Sequence, residues 1–203
     1  FERTKVFLDT RVLLRTLGYA GNELQAPYVE LIDLLYATGA RIRCFEETLS
    51  EAKTVLEANA RDILRGGRSA FGETFAHFDR SRYTSSDVLL LISRIERDMK
   101  ALRIEVEPRP PHETALTVDE SRLEEVLQGV VGYAHEAARL HDLDAIASIN
   151  TLRRGAAPVM VEDATAVFVT TNTALVAAAF KFVRDPESGV LRQAPLCMGD
   201  HTI

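Results

Sequence analysis

The sequence predicts an α/β protein, a three-layer α/β/α sandwich built on a mostly parallel central sheet. Two observations lead there. Short, largely apolar runs at Val6-Phe7-Leu8, Ile42-Arg43-Cys44-Phe45 and Ala166-Val167-Phe168-Val169 have the length of strands buried on both faces. Between them lie segments whose apolar residues recur at helical spacing, and strands alternating with helices are the raw material of a parallel sheet. A third observation sets the size. The 203 residues, 46% hydrophobic and 27% charged, suit one globular domain and exclude wholesale disorder. Aromatics are 7% and Trp is absent, so aliphatic side chains must fill the core.

The elements follow in order. The first strand, Val6–Leu8, ends at Asp9-Thr10. Helical spacing opens at Val12-Leu13-Leu14 and is broken by Gly18 and Gly21-Asn22. A second helix starts near Pro27, carries Leu31, Leu34 and Leu35, and stops at Gly39. After the second strand, Thr48-Leu49-Ser50-Glu51 has capping-box spacing and begins a helix running to about Leu64. Ser86-Asp87 caps an amphipathic helix with Val88, Leu91, Ile92, Ile95, Met99 and Leu102 on its apolar face. Pro108, Pro110 and Pro111 mark a linker. A long helix is expected from Asp119 to about Leu140, and another opening at Asp142-Leu143-Asp144 and closing at Gly155. The last strand, 166–169, leads through Thr170-Thr171-Asn172 into a helix over 173–183, then a turn at Asp185-Pro186-Glu187-Ser188-Gly189.

Several classes of function are excluded. Lys plus Arg number 24 against 30 for Asp plus Glu, a net charge of −6, so contact with nucleic acid requires a local basic patch. The two cysteines, Cys44 and Cys197, form no CxxC pair, which argues against a zinc ribbon and suits a reducing, cytoplasmic setting. No apolar run approaches a membrane span and no signal peptide is visible. The start at Phe1 without Met suggests a piece of a longer chain. No GxGxxG follows the first strand, and Gly66-Gly67-Arg68-Ser69 lacks the Gly-Lys-Ser/Thr of a phosphate-binding loop. A dehalogenase-like phosphatase wants a second Asp two residues after the first, whereas Asp9 is followed by Thr10-Arg11.

In an open parallel sheet, ligands bind beyond the carboxyl ends of the strands. Asp9-Thr10 and Thr170-Thr171-Asn172 fall there, as do the helix starts bearing Glu51 and Asp144. A bare carboxylate at a buried strand end is costly, and several converging acids repel one another. A hard divalent cation removes that conflict and activates water toward a phosphodiester.

Val6-Phe7-Leu8-Asp9-Thr10-Arg11-Val12-Leu13-Leu14 resembles the opening of PIN domains, where a strand, an Asp-Thr-Asn and an apolar helix start recur. Leu49-Ser50-Glu51-Ala52 is similar to the second signature of that family, Leu143-Asp144-Ala145-Ile146-Ala147-Ser148 to the third, and Phe168-Val169-Thr170-Thr171-Asn172 to the fourth. All four occur in the family's order, over residues 5 to 60 and 120 to 183; the stretch 65 to 118 has no counterpart and reads as a helical insertion into a single domain. The resemblance implies a Mg²⁺- or Mn²⁺-dependent nuclease acting on RNA or another single-stranded or structured nucleic acid, in a fold that often self-associates. It implies Asp9, Glu51 and Asp144 as metal-holding acids and Asn172 as the fourth catalytic position. Thr10, Arg11 and Thr170 are the implied substrate neighbours. Two departures stand out: Arg11 where the family often has Asn, and neutral Asn172 where many members carry Asp. They motivate the alternative of a catalytically impaired interaction module within a larger protein.

Structural roles compete at each position. Asp9 also suits the cap of the helix near Val12, Glu51 a capping box with Thr48, and Asn172 the cap of the helix that follows it. Glu47 is the alternative to Glu51, and Asp142, assigned to the helix cap, is the alternative to Asp144. His135 and His141, six apart, read as surface or packing residues. Arg65, Arg68, Arg80 and Arg82 form the candidate phosphate grip, and Arg153-Arg154 suits a helix end.

Overall fold

Five strands, β1 (Lys5–Leu8), β2 (Arg41–Phe45), β3 (Glu105–Glu107), β4 (Ala166–Thr170) and β5 (Cys197–Gly199), form one sheet in the order β3-β2-β1-β4-β5. Every pairing is parallel. The structure is a computed structural model that describes residues 4–66, 72–111, 119–184 and 193–201. Helices α1 (Thr10–Thr16), α2 (Asn22–Ala37), α3 (Glu46–Leu64), α4 (Glu73–Arg80) and α5 (Ser85–Ala101) link β1 to β3. Helices α6 (Glu120–Val131), α7 (Glu136–Leu152) and α8 (Thr173–Val183) complete the fold.

The pleat divides the core in two. Val6, Leu8, Ile42, Cys44, Val167 and Val169 pack against α1 to α5, while Phe7, Phe45, Phe168 and Cys197 pack against α6 to α8. Alternate side chains of buried strands thus feed opposite helical layers, which yields the expected three-layer sandwich. Phe7 and Phe45 stack across neighbouring strands with ring centroids 4.3 Å apart.

Four expectations change. Helix α2 begins at Asn22, not near Pro27, so the proline sits inside its first two turns. The 65–118 stretch is not purely helical: its described residues supply the edge strand β3, and α5 buries Val88, Leu91, Ile95 and Met99 against the core. Its charged, half-wet strand sequence, Glu105-Val106-Glu107, hid β3, because Arg43 on β2 provides the counter-charge at 3.0 Å from each glutamate. The short strand β5 likewise has no signal in the sequence pattern. Finally, α6 ends at Gly132, whose left-handed backbone (φ 67°) turns the chain, and α7 then runs unbroken from Glu136 to Leu152. The expected turn of Asp185–Gly189 lies outside the described residues.

Helix α5 is capped by Thr84, not Ser86. The Thr84 hydroxyl accepts from the Asp87 N–H at 3.2 Å, and Asp87 accepts from the Thr84 N–H at 2.8 Å. Thr84→Ala is expected to cost about 1 kcal/mol. Urea denaturation should show a lower midpoint with an unchanged slope.

Arg153 closes α7. It is 2% exposed and has no carboxylate partner recorded among the described residues. Its guanidinium donates instead to the backbone carbonyls of Ala166, Ala194 and Pro195 at 2.7, 2.8 and 2.7 Å, tying α7 to β4 and to the chain entering β5.

Candidate metal centre

The chain runs outward from β1 through β2 to β3, then returns to the other side of β1 to form β4. This reversal makes a topological switch point at the carboxyl ends of β1 and β4, where open α/β sheets hold their ligands. A cleft of about 600 Å³ opens there.

Asp9 sits at its base, in the residue after β1, with its N–H donating to the Val169 carbonyl at 2.9 Å. Its carboxylate is held on both sides: Oδ1 accepts from the Thr10 N–H at 2.7 Å and Oδ2 from the Thr170 hydroxyl at 2.5 Å. Asp9 therefore caps α1 and faces the cleft at once. Glu51 comes from the second turn of α3, and its Oε2 accepts from the Thr10 hydroxyl. The anticipated capping box does not form. Helix α3 starts at Glu46 with no side-chain cap, and Glu51 reaches into the cleft. Glu47 turns away, 3.2 Å from Arg109.

His141 completes the cluster. Its Nε2 lies 3.5 Å from Glu51 Oε2. His141 Nε2 is sealed from solvent and makes no hydrogen bond to the described residues. Asp9, Glu51 and His141 each offer one ligand atom, all within 4.8 Å of one another, and such a group could hold a metal ion.

Asp142 lines the same cleft, with Oδ2 accepting from the Tyr133 hydroxyl at 2.7 Å. Burial pushes its carboxyl up to about 6; the Tyr133 hydrogen bond opposes that rise, and the charges of Asp9 and Glu51 add to it. Burial also raises the Asp9 carboxyl, against the Thr170 hydroxyl and the His141 ring. The site is thus a set of acids crowded into poorly solvated space, a state that a bound cation relieves.

Asp144, the expected third metal-holding acid, is not brought to the cluster. It receives the Arg109 Nη1 at 2.5 Å, its side chain is 47% exposed, and it borders a separate depression beside Pro110. The reason is helical phase. In a continuous α7, positions 142 and 144 point about 200° apart. Asp142, Ile146 and Ile149 share one buried stripe, and Asp144 falls off it. Expecting a helix to start at 142–144 hid that phase. With a start at 142–144 both acids read as helix-start residues and His141 as a packing residue, whereas all three lie inside α7. Tracing α7 back to Gly132 would have exposed the stripe.

The remaining positions divide. Thr10 and Thr170 are buried and orient Glu51 and Asp9 through their hydroxyls. Arg11 is exposed at the rim of the cleft. Asn172 lines the cleft, but its Oδ1 accepts from the Ala174 and Leu175 N–H groups at 3.1 and 3.2 Å, so it is engaged in capping α8. Arg65, Arg80 and Arg82 are exposed and none borders the cleft, while Arg68 lies outside the described residues. Across the mouth, Arg15 of α1 holds Glu73 of α4 through paired 2.7 Å contacts, which fixes α4 as one wall.

No helix among the described residues is long and apolar enough to cross a membrane. Compared with models of protein families, with curated proteins and with solved structures, the chain matches none.

Proposed function

We propose that this protein is a divalent-metal-dependent nuclease of PIN-like design that hydrolyses phosphodiester bonds in RNA. The observation that carries the proposal is the meeting of Asp9, Glu51 and His141 within 4.8 Å at the switch point of the sheet, with Asp142 beside them. The donor set suits a divalent cation: the carboxylate oxygens that Mg²⁺ or Mn²⁺ takes are already oriented by Thr10 and Thr170, and a buried ring nitrogen with no hydrogen-bond partner among the described residues is a further donor open to Mn²⁺. When bound, such a cation supplies Lewis acidity toward a phosphodiester and its attacking water.

The chain's own residues have separable duties. Thr10 and Thr170 hold the two acids in place by hydrogen bonds, so little reorganisation is needed when ligand arrives. Tyr133 fixes the Asp142 carboxyl beside them, where it can accept a proton near neutral pH. Arg11 at the rim is suited to a backbone phosphate, a contact that positions nucleic acid without reading its sequence. A net charge of −6 keeps the rest of the molecule from gripping a polyanion, which limits affinity to the cleft.

The test is cleavage of a mixed-sequence single-stranded RNA with Mn²⁺ or Mg²⁺, beside EDTA and Asp9→Asn. Loss of cleavage in both controls is expected. No cleavage, together with no calorimetric binding of either ion, would overturn the proposal and leave an interaction module of PIN-like shape.

A further inference from the structure

We infer that His141 is a nitrogen ligand in this centre and tunes it toward first-row transition ions, Mn²⁺ among them, at the expense of Mg²⁺. The inference rests on the proposal that the cluster holds a cation, and goes beyond it by assigning the metal class and the residue responsible.

His141 Nε2 is shut off from water and yet makes no hydrogen bond to the described residues, a state that costs free energy unless another partner takes up the nitrogen. Glu51 Oε2 is the near neighbour at 3.5 Å, too far for a good hydrogen bond, and it already accepts from the Thr10 hydroxyl. The ring is not loosely placed. Its side chain is 13% exposed and sits on α7 next to Leu143, Ala145 and Ile146, which are buried against the sheet. A rigid helix therefore presents a donor nitrogen to two carboxylates that come from other elements, at ligand spacing from both.

The chemistry of that nitrogen decides the metal. Mg²⁺ takes oxygen ligands and gives up its waters reluctantly. Imidazole is a borderline donor that suits the later divalent ions, and affinity for a mixed nitrogen and oxygen set climbs from Mn²⁺ along the first row. A site made of Asp9 and Glu51 alone would leave Mg²⁺ competitive. Adding His141 favours the transition ion, so selectivity is a property of one side chain.

The experiment is electron spin-echo envelope modulation on the intact protein loaded with Mn²⁺, prepared with natural and with ¹⁵N-labelled histidine. Calorimetric titrations with Mn²⁺ and with Mg²⁺ accompany it, on wild type and His141→Gln. Histidine nitrogen modulation is expected in wild type and absent in His141→Gln. The preference for Mn²⁺ over Mg²⁺ should shrink at least about tenfold in the variant, since even an outer-shell partner of a ligand is worth that much. Mn²⁺ binding without histidine modulation, or an unchanged preference, would overturn this inference while leaving the nuclease proposal standing. Mg²⁺ binding without Mn²⁺ binding would overturn this inference alone, and binding of neither ion, with no cleavage, would overturn both. Should His141→Gln fail to fold, Mn²⁺-induced broadening of the histidine ring resonances in wild type decides the matter, because the inference requires one ring to be lost at substoichiometric metal.

Discussion

Arg153→Met should lose about 3–5 kcal/mol of stability, a large share of what a domain of this size has in reserve. The guanidinium is buried where α7 meets β4, and it satisfies three backbone carbonyls, of Ala166, Ala194 and Pro195. Methionine fills comparable volume but donates nothing, so each carbonyl keeps its desolvation cost without a partner. Hydrogen bonds from a charged donor are worth about 1.5–3 kcal/mol each, and the 193–195 segment can recover part of the loss by relaxing toward water. Burial draws the Arg153 pKa down only to about 10, so the group stays protonated at neutral pH and all its donors remain available. Arg153→Lys is expected to fall between, because an ammonium cannot span three acceptors in a planar fork. Urea denaturation monitored by circular dichroism reads the effect. A loss below about 1 kcal/mol in the methionine variant would show that the three carbonyls find other partners at little cost.

Asp142→Asn should shift stability in the opposite direction. The carboxyl titrates at about 6 in the folded protein against 3.8 for the free group. The folded state therefore holds this proton to higher pH than the unfolded state does. Stability from this group is intact below pH 4, falls as pH rises toward 6, and stays low above it. The full penalty approaches about 3 kcal/mol, taking 1.36 kcal/mol for each pKa unit. Asparagine is neutral throughout and can still accept from the Tyr133 hydroxyl. In EDTA the variant is expected to be more stable than wild type at pH 8, by up to that amount, and equal to it at pH 4. The same substitution should reduce RNA cleavage, since it removes a charge from the acid cluster. A functional carboxylate held at the expense of stability predicts this opposition of signs. Equal stability at both pH values would show that Asp142 is well solvated and carries no such burden.

Much of the architecture was legible because it depends on short-range pattern. Val6-Phe7-Leu8 and Ala166-Val167-Phe168-Val169 could be read as buried strands, since few other roles suit such runs, and Asp9 and Thr170 then had to emerge at their carboxyl ends. Glu51 was legible as an acid early in α3, though not that it would bypass Thr48 for Thr10. The strands β3 and β5 were not, because each is three residues long and gains its hydrogen bonds from a neighbour already in place. Edge pairing of that kind leaves almost no local signal.

Sequence by itself determined that strands would alternate with helices, that the sheet would be parallel and doubly covered, and that acids would cluster at one of its ends. Apolar period and strand length encode these features, and both are properties of neighbouring residues. Tertiary structure decided which acids meet. Whether Asp142 or Asp144 faces the cleft depends on where α7 begins, and that is governed by the left-handed turn at Gly132 and by the packing of Leu143, Ile146 and Ile149 on the sheet. It also decided that His141 joins Asp9 and Glu51, residues 90 and more positions away in the chain, because only the packing of α7 against β4 on one face of the sheet and of α3 on the other brings them within 4.8 Å at the sheet's end. Contacts between distant segments are set by the whole core, and no local window of sequence contains that information.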